Sequence, residues 1–109
     1  MDIVKRLNDA SSLAQVFFEA AESYPDNEVY SQSELTYSKV ETPLHKIPRN
    51  WRKQKYSEVS SRVAAIAAYL QSIGIKKDDK VAIVSNSRAE WMESDLAVLA
   101  AGGISVSVY

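Results

Sequence analysis

Apolar positions along this chain follow two periods, and the switches between them mark out its elements. Val81-Ala82-Ile83-Val84 is a short run rich in β-branched residues, and Leu96 to Ala101 is an amphipathic run that ends in Gly102-Gly103. Ile104 to Val108 is a second β-branched run. In that order they predict a strand, a helix and a strand. A right-handed crossover would lay Ile104 to Val108 parallel to Val81 to Val84. Both runs are nearly continuous in Val and Ile, as strands of a sheet covered by helices on both faces are. A parallel unit that stops there leaves a sheet unfinished, so the sequence is expected to belong to a longer protein.

The polar step before this last helix holds Ser87 and, three residues on, Glu90. That spacing predicts a capping box, with a cost of roughly 1 kcal/mol for losing Ser87. Upstream, Val59, Val63, Ile66, Leu70 and Ile73 advance by fours and threes, predicting a helix that starts at Tyr56-Ser57, is capped by Ser57 and is closed by Gly74 in a left-handed conformation. Lys76-Lys77-Asp78-Asp79 is a charged turn that feeds the strand Lys80 to Ser85. Nearer the start, Leu13, Val16, Phe17, Ala20 and Ala21 form the stripe of a helix that follows Ser11-Ser12 and closes at Tyr24-Pro25. Asn27 to Gln32 predicts a short strand. The stretch from Ser33 to Trp51, with Pro43 and Pro48, is irregular, with room for a short hairpin.

Composition narrows the function classes. The chain has 109 residues, 46% hydrophobic and 25% charged, enough for one domain with a limited core. A net charge of −1 supplies no global field for nucleic acid or an anionic membrane. The absence of cysteine excludes disulfides, thiolate metal sites and a thiol nucleophile. Met1-Asp2-Ile3-Val4-Lys5-Arg6 is followed by no apolar signal core, and no apolar run approaches the ~20 residues that span a bilayer, so the expected compartment is the cytoplasm.

Read in order, these segments resemble the N-terminal region of the adenylate-forming acyl-CoA synthetases, the AMP-binding superfamily, and within it the long-chain fatty acid branch. The resemblance rests on the opening helix with its Pro-Asp step (Leu13 to Asp26), on Trp51 and Tyr56-Ser57-Glu58-Val59, and on Arg62-Val63-Ala64 with Leu70. It continues through the turn and strand from Gly74 to Ile83, the step from Ser85 to Trp91, and the closing Ala101 to Tyr109. Two positions depart from the family pattern: Asp78 stands where glycine is usual, and Ser107 where the closing strand has proline. The resemblance implies an α/β fold, a three-layer fragment of the large N-terminal domain of an adenylate-forming enzyme with one parallel strand-helix-strand unit. Residues 1–109 would then be a single partial domain. It implies a parent that uses ATP and Mg²⁺ to convert a fatty acid to an acyl-adenylate and passes the acyl group to coenzyme A.

The chemistry of that reaction needs backbone N–H groups crowded around a triphosphate, in a Gly/Ser/Thr-rich loop. Glycine occurs here only at positions 74, 102 and 103. The expectation is therefore that these residues are scaffold, with no catalytic, cofactor-binding or metal-binding residue and no cofactor of their own, and that the isolated chain is inactive. His45, the single histidine, lies between two prolines without a serine or carboxylate neighbour, and is read as structural or solvated. Lys46, Arg49, Arg52, Lys53 and Lys55 interleave with Trp51 and Tyr56; a solvated loop is the plainer reading, with a surface for phosphates, nucleic acid or anionic lipid, such as a peripheral membrane contact, as the alternative. At the start of the last helix, Glu90 is expected to cap, Trp91 to pack and Arg88 to be solvated or salt-bridged. Asp78 and Asp79 are neighbours on a turn and point apart, which disfavours a metal site. Expected partners of the parent are fatty acid, ATP and coenzyme A, with no nucleic acid. The open edge of Ile104 to Tyr109 predicts a homo-oligomer of the fragment through strand pairing. Two further alternatives stay open: a segment of an adenylating relative that loads a carrier protein or a luciferin-like acid, and a free-standing binding or interaction module.

Overall fold

A computed structural model describes residues 3–35 and 49–108. Its elements are α1 (Ile3–Asn8), α2 (Leu13–Ser23), β1 (Glu28–Leu35), β2 (Arg49–Lys55), α3 (Tyr56–Ser72), β3 (Lys80–Val84), α4 (Ala89–Ala100) and β4 (Ile104–Val108). β1 and β2 form an antiparallel pair, and β3 and β4 a parallel one. His45, Lys46 and the two prolines that flank them lie outside the described residues.

The strand-helix-strand unit stands as the sequence predicts. Lys80 pairs with Ile104 and Val84 with Val108 in an unbroken parallel register, with α4 as the crossover. The release from α4 is tight: Gly102 has φ +89°, a conformation that side chains disfavour, and a Cβ on Gly103 would lie 3.1 Å from the Asp79 carbonyl oxygen. Asp78 occupies the left-handed region at φ 68°, which explains why glycine is the usual residue there. Its N–H donates to the Gly102 carbonyl at 2.9 Å, locking the charged turn to the end of α4. Gly74 closes α3 at φ +101°, as its position predicts.

The hydrophobic core is a seam of small side chains. Phe17, Val59, Val63, Ala67, Ala97 and Ala101 form its buried cluster, and the alanines let α3 and α4 approach closely. Leu13 and Ile73, expected on buried stripes, are instead 64% and 59% exposed. Leu13 opens the first turn of α2, and Ile73 lies beyond the last turn of α3; Ala14 and Ala67 take the buried positions.

Three expectations are corrected by the backbone. First, the stretch before α3 is more ordered than its composition suggests. β1 runs to Leu35 and β2 from Arg49, so the hairpin is longer than expected and the basic run Arg49 to Lys55 is a strand, not a loop. Second, Ser57 does not cap α3. The N-cap is Lys55, whose N–H donates to the Glu58 carboxylate at 3.1 Å, while the Tyr56 and Ser57 N–H groups donate to the carbonyls of Asn27 and Pro25. Third, Ser87 and Glu90 form no capping box. α4 is capped at Arg88, Glu90 turns to the Arg88 side chain, and the Ala89 N–H donates to Gln32 Oε1 of β1 at 3.0 Å. At the start of α2, Ser12 caps the helix, accepting from the Gln15 N–H at 3.1 Å. α1, six residues long, has no counterpart in the sequence pattern because so short a helix shows no sustained period.

The β3–β4 pair is covered on one face. Val81, Ile83 and Ser105 turn toward α4 and are half-buried, whereas Ala82, Val84, Ile104, Val106 and Val108 share the opposite face. Val84 is 77% exposed and the three β4 residues 42–44%. Among the described residues no helix covers that face, so only half of the expected two-sided cover is present.

Candidate functional site

The most concentrated chemistry lies where β1, β2, α3 and α4 meet. Tyr30 projects from β1, Gln54 from the adjoining position of β2, Arg62 from α3 and Glu93 from α4. The Tyr30 hydroxyl donates to Glu93 Oε1 at 3.0 Å, and Arg62 Nε donates to the same oxygen at 2.8 Å. Arg62 Nη2 lies 2.6 Å from Glu93 Oε1 and also donates to Gln54 Oε1 at 2.7 Å. Glu93 and Gln54 are 6% and 8% exposed, so this is a buried carboxylate held by one guanidinium and one phenol. Burial, then the hydrogen bond with Glu93, pushes the Tyr30 phenol above its ordinary value. The same carboxylate raises Arg62. Both contacts of Glu93 are donors, and both converge on Oε1. The arrangement ties β1, β2, α3 and α4 together.

Sequence patterning names none of these four as site residues, since each acts through a partner that is distant in the chain, Tyr30 and Glu93 being separated by 63 positions. The residues it does single out lie at the carboxyl end of β3. Arg88 Nε and Glu90 Oε2 form an exposed ion pair at 2.8 Å, which raises Arg88 and lowers Glu90. Arg88 is thus salt-bridged as expected, and Trp91 is half-buried, but the cap role of Glu90 is replaced by the pairing with Arg88. A shallow cleft of about 290 Å³ opens here between Ile83, Ser85, Arg88, Trp91 and Ser94. A second groove of about 390 Å³ runs beside β1, bounded by Tyr30, Gln32, Trp51, Arg88 and Met92. On β2, Lys53 pairs with Glu28 at 3.6 Å, so part of the basic run is neutralised.

Neither cleft contains a nucleophile set against a base, and among the described residues no three His, Asp or Glu side chains gather as metal ligands. Among the described residues the three glycines form no loop that could cradle a triphosphate. Gly74 ends α3, and Gly102 and Gly103 are pressed against Lys77, Asp79 and Val98.

The same order of elements recurs in known proteins. The model of the AMP-binding enzyme family matches residues 17–109. The chain belongs to the AMP-binding enzyme family. Among relatives of this family, a long-chain-fatty-acid–CoA ligase (FadD15) from Mycobacterium bovis is 36% identical over 59 residues, covering 54% of this chain and 10% of that protein. A chloroplastic long-chain-fatty-acid–[acyl-carrier-protein] ligase from Arabidopsis thaliana is 23% identical over 105 residues, covering 96% of this chain and 13% of that protein. Among solved structures, a fatty acid AMP ligase from Legionella pneumophila superimposes with a TM-score of 0.75 at 25% identity, over 96% of this chain and 16% of that one. The chain therefore spans roughly a tenth of the length of the curated relatives it matches. The mixed α/β model with its parallel β3–β4 pair matches the N-terminal domain of adenylate-forming enzymes of this family.

Proposed function

We propose that these 109 residues are the N-terminal structural segment of a long-chain fatty acid–CoA ligase. The parent would use ATP and Mg²⁺ to form a fatty acyl-adenylate, then pass the acyl group to coenzyme A, within cytoplasmic lipid metabolism. The segment would be inactive alone. The observation that carries this reading is the bare apolar face of β3–β4. A parallel sheet with Val and Ile on both faces is built to be covered on both, and a chain that spans about a tenth of its matched relatives is in keeping with cover supplied by a longer protein. The 36% identity to a long-chain fatty acid–CoA ligase supports the choice of substrate and acceptor.

A second reading differs in the acceptor alone. The match that covers 96% of this chain is to a ligase whose acceptor is acyl carrier protein, so an acyl-carrier acceptor is the alternative. Assaying the longer protein that contains this segment separates the two. Fatty-acid-dependent ATP–pyrophosphate exchange followed by acyl-CoA formation is expected; acyl transfer to carrier protein only would favour the second reading, and no fatty-acid-dependent exchange would overturn both.

The proposal extends to the exposed strand. β4 pairs with β3 on one side and with no strand among the described residues on the other. Its apolar edge is suited to pair with the same edge of a second copy. Isolated chain at micromolar concentration should scatter light as a dimer or larger, and Val106→Lys should weaken that assembly. A monomer mass for the unaltered chain would refute self-pairing.

A further inference from the structure

We infer that the β1–β2 hairpin is a separable unit, held on the helical body by a two-point clamp in which the Glu93 carboxylate is the main latch. Tyr30 and Gln32 are two residues apart on β1, so they leave the strand on one face about 6.8 Å apart. Their partners, Glu93 and the Ala89 N–H, are four residues apart on α4, about 6 Å along its axis. The two spacings match, so each hydrogen bond fixes the register of the other. A slip of β1 by one residue would turn both side chains away from α4.

The second strand is held by the same carboxylate. Gln54, the ladder partner of Tyr30, accepts from Arg62, and Arg62 in turn grips Glu93. Among the described side chains, apolar burial adds little to this attachment: none of the buried core cluster comes from β1 or β2, Val29 and Tyr30 pack at its margin, and Trp51 is 61% exposed. The base of the hairpin is tied separately, by the Tyr56 and Ser57 N–H groups donating to Asn27 and Pro25. Those bonds leave a hinge about which the strands can lift while α3 and α4 stay packed. Opening in such a contiguous unit is how proteins unfold locally when one attachment is polar and the rest of the core is apolar.

Hydrogen exchange by mass spectrometry on the intact chain at neutral pH tests this. Glu93→Gln removes the charge and keeps the volume. Segments 28–35 and 49–55 should then exchange about tenfold faster or more, the scale set by one charge-assisted hydrogen bond, with 59–70 changing less than about twofold. Equal acceleration of the hairpin and α3 would show that Glu93 supports the whole core and would overturn the proposal, as would no change in the hairpin. Tyr30→Phe removes a single hydroxyl and decides the matter if Glu93→Gln does not fold: the same two segments should accelerate by a smaller factor, and an equal effect on α3 would again overturn it.

Discussion

The two strand pairs both lie against α4, yet they are completed differently. The hairpin pair meets the helix through polar groups, among them Tyr30 and Arg62 on Glu93, Arg62 on Gln54, and Gln32 on the Ala89 N–H. The parallel pair meets it through half-buried Val81 and Ile83 with one hydrogen bond, Ser105 Oγ to Asp95 Oδ1, and turns five apolar residues outward. A polar junction is directional and closes on itself; an apolar face is non-directional and stays unsatisfied until something covers it. Specific geometry in this chain thus resides in the hairpin, and the capacity for further assembly resides in β3–β4.

The largest effect expected from breaking the polar side is Glu93→Ala. It strands the Tyr30 hydroxyl and one face of Arg62, and should cost about 2–3 kcal/mol in urea unfolding, below the full value for a buried pair because Arg62 is partly solvated. A cost under about 0.5 kcal/mol would make the network ornamental. Next comes the helix cap. Gln32→Ala removes the acceptor of the Ala89 N–H and should destabilise by about 1 kcal/mol, while Ser87→Ala stays within about 0.5 kcal/mol. The reverse order would restore the Ser87 cap.

Asp78→Gly sharpens the contrast from the parallel side. It relieves a left-handed aspartate at φ 68° without touching the hairpin, and should stabilise by about 0.5 kcal/mol with unchanged exchange in 28–35. The smallest effect is a pH dependence. Tyr30 titrates higher in the folded chain than unfolded, so the stability it contributes is complete below the unfolded value of about 10 and is lost as pH rises through the folded one. The Tyr30→Phe chain should show less loss of stability in that alkaline window than the unaltered chain; equal loss in both would remove Tyr30 as its source.

What could be read from the sequence divides along the same line. β3, α4 and β4 were legible because their apolar runs are continuous and end at glycines whose geometry has a local cause. α3 was legible for its long four-and-three spacing. The hairpin was not. Trp51-Arg52-Lys53-Gln54-Lys55 is polar at almost every position, and the residue it buries, Gln54, is polar itself, so strand alternation leaves no hydrophobic trace. The Ser87 and Glu90 spacing suggested a local cap, but the acceptor is Gln32, 57 positions away, and Glu90 found a nearer cation in Arg88. Arg62 and Glu93 read as ordinary helical charges because nothing in either helix alone reveals that they face one another. The family resemblance, by contrast, was carried by the order of short motifs, which does not depend on knowing these contacts.

The central proposal is that this chain is scaffold of an adenylate-forming enzyme and not its catalytic centre. Pyrophosphate release by the isolated 109-residue chain, with ATP, Mg²⁺ and a long-chain fatty acid, tests that most directly. Release indistinguishable from a protein-free blank is the predicted result, for the unaltered chain and for Glu93→Gln alike. Fatty-acid-dependent release that rises in proportion to protein would contradict it, and would place phosphate-binding chemistry among residues assigned here to packing.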